Sequence, residues 1–284
     1  MPELPEVQTT VNGLRRVLPG QKILNVWTDL NTKDKRKRDT VANPKYFSGF
    51  RKKIIGKKII SVTRRAKNIL INISGEQIIL VHMKMTGHLL YDHCDHGNRF
   101  IHVIFTLSGG KRLAFCDARK FGKITLINAG ELDTSKHLRG LGPEPLEKSF
   151  DLHKFIQVLR RRPGAPVKTA LIDQSIIASI GNIYSDEILW AAGVHPQRKI
   201  KTLKPTQYEK MFLVMKTILK KGISFGGDSV SDYRNPAGRR GHFQLHHRAY
   251  QRTGKICSRR GCGGVIMRIM VGGRSTHFCP RHQK

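Results

Sequence analysis

The run "MPELPEV" puts Pro2 directly behind Met1, with Glu3 and Glu6 close by. If Met1 is removed, Pro2 presents a secondary amine as a chain terminus, and such amines titrate far closer to neutrality than a lysine. An unprotonated fraction can attack a sugar carbon and form an iminium, with Glu3 shuttling protons to the opening sugar. Proline and glutamate also favour a helix start, and on these residues alone that is the simpler account. A second group lies in the tail. Cys257 and Cys262 enclose four residues, sixteen follow before Cys279, and two separate Cys279 from His282. That spacing is the pattern of a four-ligand tetrahedral zinc site, with His277 as the fallback fourth ligand. So short a segment lacks the apolar area to fold without a staple, and "VIMRIMVGGRSTHF" reads as a hairpin about Gly272-Gly273 hung on the metal. A third candidate is "GNIYSDE", where Gly181-Asn182 turns the chain into a helix opened by Ser185, Asp186 and Glu187. Its free N–H groups and the Asn182 amide suit a phosphate; a plain helical hairpin capped by Asn182 fits equally well.

Charge points to the partner. Lys and Arg number 52 against 20 Asp and Glu, a formal net charge of +32. Such self-repulsion implies a polyanion, nucleic acid first and an anionic membrane surface second. No apolar run is long enough to span a bilayer and no basic-then-apolar leader is visible, so a cytoplasmic protein is expected. The five cysteines are odd in number and three crowd into the tail, which suits metal better than disulfides. Cys94 and Cys116 read as small buried or half-buried thiols. Between Lys33 and Lys67 fourteen Lys and Arg face only Asp34 and Asp39. "KDKRKR" alone is a solvated loop, but the excess over the whole span reads as a phosphate-facing surface.

These groups need positioning elements. Val7, Val11, Leu14 and Leu18 recur at helical spacing until Pro19-Gly20, so the chain opens with an amphipathic helix. "NILINIS", "QIILVHM", "RFIHVIFTLS", "RLAFC" and "KITLIN" then read as strands of a sandwich or barrel. The expected boundaries are residues 1–134 for this lobe and 135–149 for a linker stiffened by "RGLGPEPLEKS". Residues 150–249 form a helical lobe read from "DLHKFIQVLRR", "VKTALIDQSI", "YSDEILWAAG" and "PTQYEKMFLVMKTILKKG", and 250–284 form the zinc finger. A long polar loop, about 222–243, is assigned to the helical lobe.

"PELPEV", "GLGPEP", "DQSIIASIGNIYSDEIL" and "GGRSTHFCPRH" together resemble the bacterial formamidopyrimidine-DNA glycosylases of the formamidopyrimidine/endonuclease VIII family, over essentially the full chain. The resemblance implies an α+β, two-lobed fold: an N-terminal helix plus β-sandwich, then a helix-two-turn-helix lobe with a C-terminal zinc-finger hairpin. It implies a monomer, associated with the nucleoid, that excises oxidised bases from double-stranded DNA and cleaves the strand by β,δ-elimination. Pro2 matches the Schiff-base nucleophile, Glu3 the ring-opening acid and Glu6 a supporting carboxylate. Lys67 in "RRAKNILI" matches the β-turn lysine at the lesion. Lys168, Asn182 and Arg274 match phosphate-gripping positions, Arg274 being counted with the catalytic set. Met85 in "HMKMTG", with Arg119 and Phe121 in "DARKFG", match the side chains that fill the gap left by a flipped base. From pattern alone Met85 and Phe121 are core residues and Arg119 a surface cation. The loop resembles the lesion-recognition loop of the formamidopyrimidine branch, implying 8-oxoguanine and formamidopyrimidines as lesions. The alternatives are an oxidised-pyrimidine glycosylase of the endonuclease VIII branch and a catalytically inactive DNA- or RNA-binding relative. The chain departs from the family pattern in its four-residue first knuckle and final His282, in the basic stretch around 31–50, and in His242 ahead of Phe243.

Overall fold

The computed structural model describes residues 1–92 and 100–284; Cys94 lies outside the described residues. The chain divides into two compact units, residues 1–139 with 225–242, and residues 140–224 with 243–284.

In the first unit α1 (Leu4–Arg15) buries Val7, Val11 and Leu14, the stripe expected from their spacing. Two four-stranded antiparallel sheets share its core. One has the order β1 (Ile23–Thr28), β6 (Ile101–Leu107), β7 (Arg112–Cys116), β5 (His88–Tyr91). The other runs β2 (Ile59–Arg65), β3 (Asn68–Ile73), β4 (Gln77–His82), β8 (Lys123–Asn128). Phe105, Phe115, Ile71 and Val81 are among the buried side chains that join α1 in one apolar cluster. Cys116 is buried and unoxidised on β7.

The basic stretch read as loop or phosphate surface contains a helix, α2 (Pro44–Ile54). Asn43 caps it by accepting the Tyr46 N–H at 3.2 Å, Pro44 occupies the first turn, and Phe50 and Ile54 reach the core. The Asn-Pro pair is the start signal that its cationic surroundings obscure.

The second unit carries α3 (Leu152–Leu159), α4 (Val167–Ile172), α5 (Asn182–Ala192), α6 (Pro205–Ser224) and the hairpin β9 (Met267–Val271) and β10 (Arg274–Phe278). Phe150, Phe155 and Phe212 pack together between α3 and α6, and Gly193 at φ 73° ends α5 in the left-handed conformation. The hairpin turns on Gly272 and Gly273, both at positive φ, and a side chain at Gly272 would strike Thr169 Cγ2.

The loop assigned from sequence to the helical lobe packs instead with the first unit over residues 225–242. The Tyr91 N–H donates to the Pro236 carbonyl at 2.8 Å, and Gly13 lets Pro236 close on α1. Among the described residues no helix is long and apolar enough to cross a membrane.

Candidate active site and metal centre

Pro2, Glu3 and Glu6 are all buried at the start of α1. Glu3 is the N-cap, and its carboxylate accepts from the backbone of the first turn. In return the Glu3 N–H donates to Glu6 Oε2 at 2.7 Å, closing a capping box. The other Glu6 oxygen accepts the Asp228 N–H at 2.7 Å, so one carboxylate ties the helix start to the 225–242 loop. Gly227, at φ 85°, permits that approach: a Cβ there would lie 3.0 Å from Glu6 Cγ. The Tyr233 hydroxyl donates to the Glu6 carbonyl at 2.9 Å, and burial pushes its pKa well above the usual phenol range, so it stays a neutral donor. The glutamates are thus oriented before any ligand arrives.

Lys67 sits in the two-residue turn between β2 and β3, behind Ala66 at φ 51°, and is buried. Arg64 braces that turn on α1, its Nε donating to Gln8 Oε1 at 2.8 Å and its Nη1 to the Ala66 carbonyl at 3.0 Å. His82 pairs across the strands with Asn68 and Lys123. Burial first, then the charges of Lys84, Lys67 and Lys123, push its pKa down to about 3. The imidazole is therefore neutral, and its Nδ1 accepts the Lys84 N–H at 3.0 Å. Three ammonium groups raise the local potential beside a ring that adds no charge of its own.

Met85, Arg119 and Phe121 are exposed, against the pattern-based expectation of core positions for Met85 and Phe121. They stand on two turns held by one buried acid, Asp117. Its carboxylate accepts from the Thr86 hydroxyl, from the Arg119 N–H at 3.3 Å and from the Gly122 N–H at 2.6 Å. Gly87 and Gly122 both leave room for the Phe115 ring beneath the turns. Arg119 lies 4.6 Å over the Phe121 ring, a cation–π pair that stiffens both side chains. Asp117 escaped the sequence reading; an acid between the strand "RLAFC" and the turn "RKFG" is the signal that could have found it. Asp117→Ala is expected to cost about 1–3 kcal/mol per buried donor left unpaired and to lower affinity for lesion duplex, measured by fluorescence anisotropy beside thermal unfolding.

In the second unit Lys168, expected to grip a phosphate, is turned inward. Its side chain is fully buried, and Nζ donates to Asp186 Oδ1 at 2.5 Å, Ser185 Oγ at 2.8 Å and the Asn182 carbonyl at 3.0 Å. An ammonium has three protons, and all are engaged within the fold. Asp186 Oδ2 accepts both the His277 N–H at 2.9 Å and its Nδ1 at 3.0 Å, so α5 holds β10. Glu187, its pKa raised by burial against the pull of its donors, accepts the N–H groups of Arg248, Ala249 and Tyr250 and fixes the entry to the tail. Asn182 opens α5, and its amide donates to the Ser275 carbonyl at 2.8 Å. Arg274 is exposed beside the glycine turn.

Cys257, Cys262, Cys279 and His282 bring their donor atoms within 4.8 Å of one another. Cys257 Sγ and Cys262 Sγ lie 3.4 and 3.7 Å from His282 Nδ1, and Cys262 Sγ lies 3.6 Å from Cys279 Sγ. Zinc bonds to sulfur and nitrogen give tetrahedral donor–donor edges of about 3.5–3.8 Å. His282 Nε2 is 3.0 Å from the Trp190 carbonyl, a contact that places the proton there and leaves Nδ1 facing the sulfurs. Gly264 is needed for closure, since a Cβ would come 2.7 Å from Cys279 Sγ. His277, engaged by Asp186, lies outside the cluster.

Residues 1–124 match the model of the formamidopyrimidine-DNA glycosylase N-terminal domain, and residues 141–234 match that of the formamidopyrimidine-DNA glycosylase H2TH domain. A formamidopyrimidine-DNA glycosylase of Pelotomaculum thermopropionicum is 40% identical over 100% of this chain and 99% of its own. That of Moorella thermoacetica is 40% identical over 95% and 94%. This chain belongs to the formamidopyrimidine-DNA glycosylase family. Its fold also matches Lactococcus lactis Fpg in complex with an abasic site containing DNA, at a TM-score of 0.87 and 31% identity over 99% of each chain. The wild-type Lactococcus lactis Fpg, also called MutM, bound to DNA containing N7-benzyl-Fapy-dG, matches at 0.87 over the whole of both chains. Formamidopyrimidine-DNA glycosylases are DNA glycosylases of base excision repair with lyase activity at abasic sites. The glycosylase N-terminal domain match contains Pro2, Glu3, Glu6, Lys67, Met85, Arg119 and Phe121; the H2TH match contains Lys168 and Asn182. The Cys/Cys/Cys/His cluster follows both.

Proposed function

We propose that this chain removes oxidised purines, 8-oxoguanine and formamidopyrimidines, from duplex DNA and then cleaves the strand, with Pro2 as nucleophile. The observation that carries the reading is the Glu3–Glu6 capping box, which buries two oriented carboxylates directly behind Pro2. The freed Pro2 nitrogen attacks C1′ of a nucleotide turned out of the stack, the glycosidic bond breaks, and the base leaves with a proton. Glu3 protonates the ring oxygen as the sugar opens, giving an iminium between Pro2 and C1′. Loss of a C2′ proton expels the 3′ phosphate, a second elimination expels the 5′ phosphate, and water releases Pro2. Lys67 holds the lesion-side phosphate and supplies a proton, with Glu6 keeping Glu3 and the loop in place. Met85, Arg119 and Phe121, on rigid turns, fill the vacated space. Arg274 and Asn182 grip backbone phosphates; Lys168 orders the helix that carries Asn182. The presence of the 225–242 loop, docked on Glu6, supports purine lesions over the endonuclease VIII alternative.

The experiment is borohydride trapping on a duplex with one 8-oxoguanine opposite cytosine, with intact mass defining the N-terminus. A covalent adduct at Pro2 is expected. A free Pro2 that yields no adduct on this duplex, or on formamidopyrimidine and abasic ones, would overturn the reading.

The Cys/Cys/Cys/His cluster is read as a zinc site. All four positions come from the chain, leaving none for substrate, so the ion is structural. Stripping it with a chelator is expected to unfold the tail and lower DNA affinity at least about tenfold, checked by metal analysis, near-UV dichroism and anisotropy. We also take the protein to act as a monomer on chromosomal DNA in the cytoplasm.

A further inference from the structure

The basic stretch that the catalytic reading leaves unused builds a groove on the first unit. It has a volume of about 600 Å³ and runs between the end of β1 and the outer face of α2. Leu30, Phe47 and Ile55 supply apolar surface, and Arg51 and Lys52 stand along one side. Arg51 is held in place, its Nε and Nη2 donating to Asn25 Oδ1 at 3.2 and 3.0 Å.

Acidic groups nearby are already engaged. Asp29, on the groove wall, takes His102 Nδ1 at 2.9 Å and lies 3.8 Å from Lys120 Nζ. Asp34 pairs with Arg36 at 2.9 Å, and Asp39 with Lys136 at 2.5 Å. Arg51 and Lys52 on the groove wall are exposed and, like Lys33, Lys35, Arg38, Lys45 and Lys53 elsewhere in the stretch, carry no ion pair among the described residues. The groove thus joins an apolar floor to an uncompensated cationic rim.

We propose that this groove docks an acidic segment of a partner protein that ends in an apolar or aromatic anchor. Carboxylates meet the Arg51–Lys52 rim while the anchor covers Phe47 and Ile55. A phosphate backbone satisfies the charge but brings nothing to bury the apolar floor, so a peptide fits better than a second stretch of DNA. The volume lies in the range of about 300–1,000 Å³ that encloses compact ligands.

The test uses the full-length protein and a fluorescein-labelled peptide, Asp-Asp-Asp-Asp-Leu-Phe, read by polarisation. Binding is expected, weakened at least about tenfold by Lys52→Glu, by Ile55→Ser, or by replacing the peptide's Leu-Phe with Ala-Ala. Both substitutions are at exposed positions, so thermal unfolding and strand cleavage on abasic duplex are expected to be unchanged. No binding, equal binding of the alanine peptide, or indifference to both substitutions overturns the proposal. So does oligothymidine that competes as well as the peptide and is weakened in parallel by Lys52→Glu, which assigns the surface to phosphate.

Discussion

Glu3→Gln is expected to slow excision of 8-oxoguanine by about 10²- to 10⁴-fold while leaving borohydride trapping on an abasic duplex close to the wild-type level. The two substrates separate the roles. In the proposed mechanism Glu3 delivers a proton to the intact nucleotide as the sugar opens, and an amide cannot. An abasic sugar already samples the open aldehyde, so Pro2 can condense with it unaided. The amide oxygen of glutamine can still accept from the first turn of α1, so the cap seen at Glu3 persists and unfolding is little changed. Pro2→Gly, with the terminus checked by mass, keeps a free amine but changes its basicity and geometry, and trapping is expected to fall on both substrates. Loss on both substrates for Glu3→Gln as well would place the carboxylate in iminium formation itself.

Lys168→Met is expected to destabilise the second unit by about 3–5 kcal/mol, measured by urea unfolding. The side chain is fully buried, and its removal leaves Asp186 charged, desolvated and without its cation. Methionine has similar length, so the cost is electrostatic more than a cavity. Lys168→Met with Asp186→Asn is expected to recover much of the loss, because the amide carries no charge and its oxygen still accepts from the His277 N–H. A phosphate-gripping lysine behaves differently: stability is unchanged, affinity falls uniformly across sequences and the salt slope drops by about one. That outcome would return Lys168 to the DNA surface.

What could be read from sequence was what is encoded locally. The 3.6-residue stripe of Val7, Val11 and Leu14 marks α1, and apolar runs mark β3, β4, β6, β7 and β8. β1 escaped because it shows solvent Leu24 and Trp27 and buries only Ile23 and Val26, so no alternation stands out. β5 is four residues long, too short for any period to register. The cluster of Cys257, Cys262, Cys279 and His282 that could hold a metal was legible because such spacing is itself what a metal site requires. Met85 and Phe121, which hydrophobicity alone assigns to the core, are exposed in the fold, since composition does not distinguish an exposed apolar side chain from a core one.

By itself, then, the sequence determined the polyanionic partner, the helical and strand segments with strong periodicity, and the thiol and imidazole ligand set. Tertiary structure alone decided which side chains are spent holding the site and which remain to act. Lys168 is withdrawn by partners up to 18 positions away, and the 225–242 loop docks on Glu6 across 222 positions. Asp117 joins two turns 31 positions apart. Such contacts depend on burial and on the number of acceptors converging on a group. Neither is a property of residues adjacent along the chain, so a lysine that family resemblance assigns to a phosphate is a buried, hydrogen-bonded strut in the fold.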